Sequence, residues 1–532
     1  MRGGSGRAPE APEPARVAGP GALAGWLARH AALLTQLALL ALAARSFALR
    51  WGQLTASPYP LGVDGYFYPI QLRSLLEHGH LAYPASPLAF WLMAPLAALT
   101  DPITGAKLGA ALAGAAVVWP AYALGARLGP GRLAGLAAAV VAVSSTGSLM
   151  LTVDFVKNSF GVSLGLAALA ALLAALAQPA TRARWVLAAL ALGAAVLTHK
   201  MAAGLALLAG GPALAAFLWR RGGAARRWGL VGLLGALLAL AIAGALAPSQ
   251  LISPSQLALA RDAFSGAWRW DAPALAVGSY RLPLDGEVWK GGVLCALAAV
   301  LLVWRGRGRG GVGARAPGVR GVSWALLGLG LVLAWPTLAV EDPQGLGFRL
   351  RLVAFVPMAA AVAVLVGAAL TVAPTAARWR RLAPAALCGV VLAGWLVRAP
   401  ARLERGVVYA HPAMVAAVSR LAGAVPDGEL VLVSERHIAF MATWYARVAT
   451  AVRPQVPPRH RWRLMPLAFI GERSPLARAL EAARHQAGVV PPRSLHAWHR
   501  DGLVLVTEAT WQWLLPQLPP PARAHYQAWR AL

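Results

Sequence analysis

The sequence predicts an all-α polytopic membrane protein of about eleven transmembrane helices, followed by a small C-terminal α/β domain. Three observations lead there. Apolar residues make up 58% of the 532 positions and charged residues 13%, with a mean hydropathy of +0.59, which leaves too little polar surface to cover a soluble fold. Apolar runs near the length of a bilayer crossing recur between arginine-bearing connectors. Beyond residue 399 the pattern changes to frequent charges, histidines and prolines with short β-type runs.

Residues 1–20, rich in Gly, Pro and Ala, lack the charged and apolar regions of a secretory signal, so a disordered cytoplasmic tail is expected before an uncleaved anchor. Within the transmembrane region, residues 21–400, the expected spans are 24–47, 104–126, 132–151, 159–177, 184–198, 201–219, 228–247, 289–304, 322–340, 350–372 and 382–398. The net charge of +29 would suggest nucleic acid in a soluble chain, but here the arginines sit in alternate short connectors. These are Arg127 and Arg132, Arg182 and Arg184, Arg220 to Arg227, Arg305 to Arg320, and Arg378 to Arg381, and no acid lies among them. That places them in the cytoplasm and makes them topology signals. The acids of residues 21–400 and Lys107, Lys157, Lys200 and Lys290 then fall on the outer face. Cys295 and Cys388 both lie in apolar runs, so no disulfide framework is implied.

Residues 48–103 read as one large outer loop, because the apolar stretch 86–99 is short and holds two prolines. In this loop Tyr68, Leu72, Leu75 and Leu76 form one helical stripe, with Gln71, Ser74, Glu77 and His78 opposite and Gly79 as a stop. That pattern predicts a helix lying along the bilayer surface. In residues 401–532, an extracytoplasmic domain by the span count, strands are expected at 429–434, 463–470 and 502–507. Helices are expected there at 411–424, 474–486 and 510–530.

Several polar residues interrupt this pattern. Asp154, Lys157 and Asn158 lie at the end of the third span, three and four residues apart, so on a continuous helix they share a face. His199 and Lys200 break otherwise apolar sequence at a membrane edge, where ionisable groups are costly, although snorkelling alone would account for Lys200. Arg349 and Arg351 open the tenth span on the side where arginine is disfavoured. In the C-terminal domain Glu435, Arg436, His437, Trp444, Tyr445 and the run Arg459 to Trp462 form a basic, aromatic surface suited to a glycan or an anionic acceptor. Its histidines lack zinc spacing. No Gly-rich phosphate loop or nucleophile elbow appears, so a soluble nucleotide-sugar donor is not suggested.

The motif Gly62-Val-Asp-Gly-Tyr-Phe-Tyr68, the following Leu75-Leu-Glu-His-Gly79 and the proline-led Tyr83-Pro-Ala-Ser-Pro-Leu-Ala-Phe-Trp91 resemble the GT-C superfamily of integral-membrane glycosyltransferases. That superfamily includes oligosaccharyltransferase catalytic subunits and protein mannosyltransferases. The similarity is best over residues 50–200 and looser to about 400. Two departures stand out: the Trp-Trp-Asp-Tyr-Gly signature is absent, and Thr152-Val-Asp-Phe-Val-Lys-Asn158 replaces a paired-acid motif, so peptide-asparagine glycosylation is not expected.

The resemblance implies a polyprenyl-phosphate sugar donor, a glycan, lipid or protein acceptor, contact with membrane lipids, and no nucleic acid. It makes Asp64 the catalytic carboxylate, as general base or metal-orienting group; the plainer reading is a helix cap. Asp154 is a supporting carboxylate that pairs with Asp64 around a divalent cation, magnesium or manganese, or marks an ordinary span-end ion pair with Lys157. Glu77 is a second supporting candidate, or part of a solvated face. Lys157, Asn158, His199, Lys200, Arg349 and Arg351 are the candidates for the lipid phosphate, with Arg349 preferred over Arg351. The competing readings are a lipid-linked-glycan flippase and a non-catalytic partner that keeps the fold. The cell membrane is the expected location, with a cytoplasmic N-terminus.

Overall fold

A computed structural model describes residues 20–223 except 63 and 130, residue 227, residues 281–307, 317–334, 350–370, 389–390, 392–395, 412–419, 430–433, 436–451, 461–466, 497–500 and 503–507, and single residues at 516 and 520. The expected spans at 228–247 and 382–398 lie wholly or largely outside these residues. So do the 1–20 tail, the boundary at 400 and the helices expected at 474–486 and 510–530.

The described chain is a multi-pass helical membrane protein. Helix α1 (Pro20–Leu54) leads into the loop that carries α2 (Phe67–His78) and α3 (Leu88–Leu99). There follow α4 (Pro102–Ala116), α5 (Val118–Leu128), α6 (Arg132–Ser144), α7 (Thr146–Asp154), α8 (Val156–Ala177), α9 (Arg182–Thr198) and α10 (Lys200–Arg221). Among the described residues, helices α11 (Arg281–Arg307), α12 (Pro317–Ala334) and α13 (Phe355–Leu370) add to the bundle. Among the described residues six segments have the length and apolarity to cross a bilayer: Arg29–Leu54, Pro102–Leu128, Val156–Ala177, Lys200–Arg220, Gly286–Trp304 and Leu350–Leu370. The pair α6–α7, bent by 50°, is a seventh if its two helices make one broken span. Helices α9 and α12, expected as full spans, are short for a crossing.

Alanine is frequent in the buried core and glycines stand at several close helix contacts, which lets backbones approach where lipid offers no hydrophobic gain for helix association. One core gathers α1, α5, α6, α8 and α10 to α13. Chain direction sets the polarity of the bundle. Helices α8 and α9 run side by side in opposite senses, so the α7–α8 and α9–α10 turns share one end, and Arg127, Arg182, Arg184 and Arg220 lie at the other.

The second core forms around the loop. It joins Leu54, Leu61, Phe67, Tyr68, Phe90 and Met93 to Val415, Ile438, Phe440 and Met441. These last residues belong to α14 (Pro412–Ser419) and α15 (Arg436–Tyr445). Five strands accompany them: β1 (Leu430–Val433), β2 (Ala449–Ala451), β3 (Arg461–Pro466), β4 (Ala497–Arg500) and β5 (Leu503–Thr507). Their order is β2-β1-β3-β5-β4, with β1 parallel to β2 and β3 and the remaining pairs antiparallel. Strands β2 and β4 and helix α15 had not been expected from the sequence.

The reading of α2 as a surface helix needs correction. It packs against α3, α4 and α15, and the supposed polar stripe is partly internal: Gln71 and Ser74 are buried while Leu76 is exposed. The loop explains this. Gln71 donates to the Tyr83 carbonyl at 2.8 Å and accepts from the Tyr83 amide at 2.9 Å, and Ser74 donates to the His80 carbonyl at 2.9 Å. These side chains satisfy loop backbone that would otherwise be buried unpaired.

Candidate functional site

The site begins in the loop after α1. Lys107 of α4 donates to the carbonyls of Ser57 and Pro58 at 2.7 and 3.2 Å, anchoring the chain just before the Gly62 motif. Gly62 has φ +85°, a left-handed conformation that favours glycine. A Cβ at this position would overlap Asp154 Oδ1 and lie 2.9 Å from the Val153 carbonyl oxygen. Its lack of a side chain therefore lets the loop lie directly on the carboxylate end of α7. Asp64 follows two residues later in a turn, its carbonyl accepting from the Phe67 amide at 3.0 Å. It is not the helix cap: the N-cap position of α2 is Tyr66, which makes no side-chain capping bond.

Asp154, only 2% exposed, is the last residue of α7. The helix breaks at Phe155 (φ −132°, ψ 56°) and restarts as α8, so Asp154, Lys157 and Asn158 do not share one helical face as expected. They flank a tight turn instead. Lys157 opens α8, its amide donating to Tyr68 Oη at 3.4 Å and its Nζ lying 5.0 and 5.8 Å from the Phe67 and Phe90 ring centroids. Such faces attract a cation. Asn158 is 3% exposed, and its Nδ2 is a buried donor with no hydrogen-bond partner among the described residues.

His199 caps α10, its Nδ1 accepting from the Met201 amide at 3.2 Å. A Cβ on Gly161 of α8 would stand 3.1 Å from His199 Cβ. Gly161 follows Lys157 by four residues, so the α9–α10 turn meets α8 about one turn below the Lys157 end. His199 and Lys200 are half-buried there.

Glu77 and Arg351 are not gathered at this point. Glu77 is exposed and sits 3.8 Å from exposed His78, roughly 15 Å along α2 from Phe67. Arg351 belongs to a segment that reaches α7 at its other end, where Gly147 packs on the Leu352 carbonyl, roughly 10 Å along α7 from Asp154. Arg349 lies outside the described residues, as do Glu435, Arg459 and His460.

A wall from the C-terminal part closes the site. Tyr66 and Tyr445 hydroxyls are 2.9 Å apart, and Phe67 contacts Phe440 at 5.5 Å between centroids. Arg73 donates to the Trp444 and Thr443 carbonyls at 3.1 and 3.3 Å and stacks on Trp444 at 4.4 Å, a cation placed at the helix end that favours one. Burial, then the bond to Tyr445, pushes the Tyr66 hydroxyl pKa well up. Trp444 and Tyr445, expected on a binding surface, are thus partly consumed in docking. No three of His, Cys, Asp or Glu form a metal-binding group among the described residues. Asp64 and Asp154 are carboxylates of the kind a hard divalent cation takes, and Lys157 in the adjacent turn sets a positive charge beside them.

Sequence reasoning missed Arg50 and Glu287, which brace α7 from below. Arg50 fell at the start of the expected outer loop, 48–103, whereas the first helix continues to Leu54; its signal was Ser46 four residues earlier, on the same helical face.

Two outcomes test this geometry. Gly62→Ala should cost roughly 1–3 kcal/mol of stability through backbone strain, with further loss from displacing Asp154, as measured by thermal unfolding in detergent. Because the folded-state pKa of Tyr66 is raised, its contribution is intact below about pH 10 and lost as pH climbs above that. Tyr66→Phe should therefore flatten the alkaline fall in melting temperature.

No protein-family model matches the sequence, and no curated protein matches it. Solved structures similar to this chain include ArnT from Cupriavidus metallidurans bound to undecaprenyl phosphate. It is 15% identical, covering 91% of this chain and 98% of that one, with a TM-score of 0.44. The same protein in its apo state is 15% identical over 94% of this chain and 100% of that one, with a TM-score of 0.36. The Archaeoglobus fulgidus oligosaccharyltransferase in complex with zinc and sulfate is 14% identical, covering 83% of this chain and 69% of that one, with a TM-score of 0.49.

Proposed function

We propose that this chain is a GT-C-type membrane glycosyltransferase that moves a sugar from a polyprenyl-phosphate carrier to an acceptor hydroxyl at the extracytoplasmic surface. The observation that carries this reading is the contact of Gly62 with Asp154. It brings the Asp64 loop, a second carboxylate and the Lys157–Asn158 turn together at one membrane edge. Orientation follows from the arginines at the opposite helix ends, which favour the cytoplasm.

In this reading Asp64 accepts the proton of the acceptor hydroxyl as its oxygen bonds to the anomeric carbon. The bond from that carbon to the carrier phosphate breaks, and the electron pair stays on the phosphate oxygen. Lys157 Nζ and Asn158 Nδ2 meet the charge that develops there, in a setting of low dielectric where such contacts are strong. His199 and Lys200 extend the cationic edge along α8. Asp154 keeps the loop in register. Attack from the face opposite the phosphate inverts the anomeric configuration. A divalent cation would add Lewis-acid charge at the phosphate; no step assigned to these side chains depends on one.

The test is transfer by the purified protein from radiolabelled polyprenyl-phosphate sugars. Asp64→Asn should lower the rate by about 10²–10⁴ while donor binding persists. Translocation of the lipid-linked sugar without transfer, or full transfer by Asp64→Asn, would overturn the assignment.

A further inference from the structure

Helix α7 is only nine residues long and is bounded by non-helical residues at both ends, Ser145 (φ −76°, ψ 137°) and Phe155. So short a helix has little stability of its own, yet it carries Asp154 at its tip. Two ionisable groups from other helices hold it, one buried and one half-buried. Arg50 of α1, 1% exposed, donates from Nε to Thr152 Oγ1 at 3.1 Å and from Nη2 to Ser148 Oγ at 2.8 Å. Its Nη1 bonds Ser46 Oγ at 2.5 Å and the Val143 carbonyl at 3.4 Å. Ser148 and Thr152 are four residues apart and so present one hydroxyl row to the guanidinium.

At the other end, Glu287 of α11 accepts from Ser145 Oγ and, at 2.6 Å, from the Thr146 amide. It supplies a carboxylate to a helix N-terminus, which is electrostatically favourable, while Ser145 Oγ accepts from the Ser148 amide at 3.3 Å. A charged side chain inside a membrane protein is costly enough to require a use. Neither group reaches Asp64 or the Lys157 turn in any of these bonds.

We infer that Arg50 and Glu287 are positioning residues: they clamp α7 at flank and N-terminus so that Asp154 stays seated against the Gly62 loop that presents Asp64. The inference deepens the glycosyltransferase reading and rests on it for its kinetic consequence, whereas the clamp itself is measurable without turnover. Because Lys157 and Asn158 lie beyond the Phe155 break, releasing α7 disturbs the carboxylates more than the phosphate contacts.

Hydrogen–deuterium exchange on the full chain in nanodiscs, read on peptides spanning residues 146–155, tests the clamp. Arg50→Gln and Glu287→Gln should each speed exchange there at least about tenfold, with α8 and α10 unchanged. In the radiolabelled transfer assay the same variants should lose roughly ten- to hundredfold in kcat with donor KM within about threefold. Arg50→Lys, which keeps the charge but offers one nitrogen, should recover part of that loss. If Arg50→Gln does not fold, Thr152→Val removes one of the same bonds from the side of α7 at nearly constant volume.

Unchanged exchange in the folded variants overturns the clamp. Faster local exchange with unaltered kcat overturns its link to the site. A wild-type protein without transfer whose variants still loosen α7 counts against the glycosyltransferase reading and leaves the clamp standing.

Discussion

The approach of a loop glycine to a buried carboxylate is the constraint on which the site depends. Gly62 in its left-handed conformation occupies space that any side chain would deny, so Asp154 Oδ1 and the Val153 carbonyl can press on the loop backbone. Every other contact at this edge either brings the two pieces to that meeting or holds them there. Lys107 restrains the loop upstream, the Phe67 and Phe90 rings draw in Lys157, and the α7–α8 break turns Asp154 toward the loop.

The second core joins residues of the loop to residues of α14 and α15. Helix α15 fills the space above α2 with Phe440, Met441 and Tyr445, and Arg73 binds its C-terminal carbonyls. Aromatic contact area at this junction, from Phe67 through Tyr83 to Phe440, gives the loop a rigid roof in place of a bilayer surface. The proposed reaction would gain from such rigidity, since small errors in the placement of reacting groups cost large factors in rate.

Composition and hydropathy made the polytopic class and the helix that follows the Gly62 motif legible, and Gly79 stops α2 as its residue type predicts. Strands at Leu430–Val433 and Leu503–Thr507 were equally readable from short continuous runs of Leu and Val. What escaped was set by tertiary contact. Nothing in the apolar run 132–151 announces a 50° bend except Ser145 and Gly147, which also occur in straight membrane helices. Gln71 and Ser74 look solvent-facing until the loop that needs them closes over. Arg50 went unremarked because its partners Ser148 and Thr152 lie about a hundred residues away. Helix α15 was hidden by its polar start, Arg436-His437, which disguises the apolar face of Ile438, Met441 and Ala442.

The central claim is that the Gly62–Asp154 junction and the Lys157–Asn158 turn form one pocket for a lipid phosphate facing Asp64. Electron cryomicroscopy of the full chain in nanodiscs with undecaprenyl phosphate tests it most directly. Phosphate density within about 3 Å of Lys157 Nζ or Asn158 Nδ2, on the side of Asp64, is the result this account predicts. Phosphate bound at the arginine-bearing end of the helices, or an Asp64 turned away from it into a separate cavity, would contradict it.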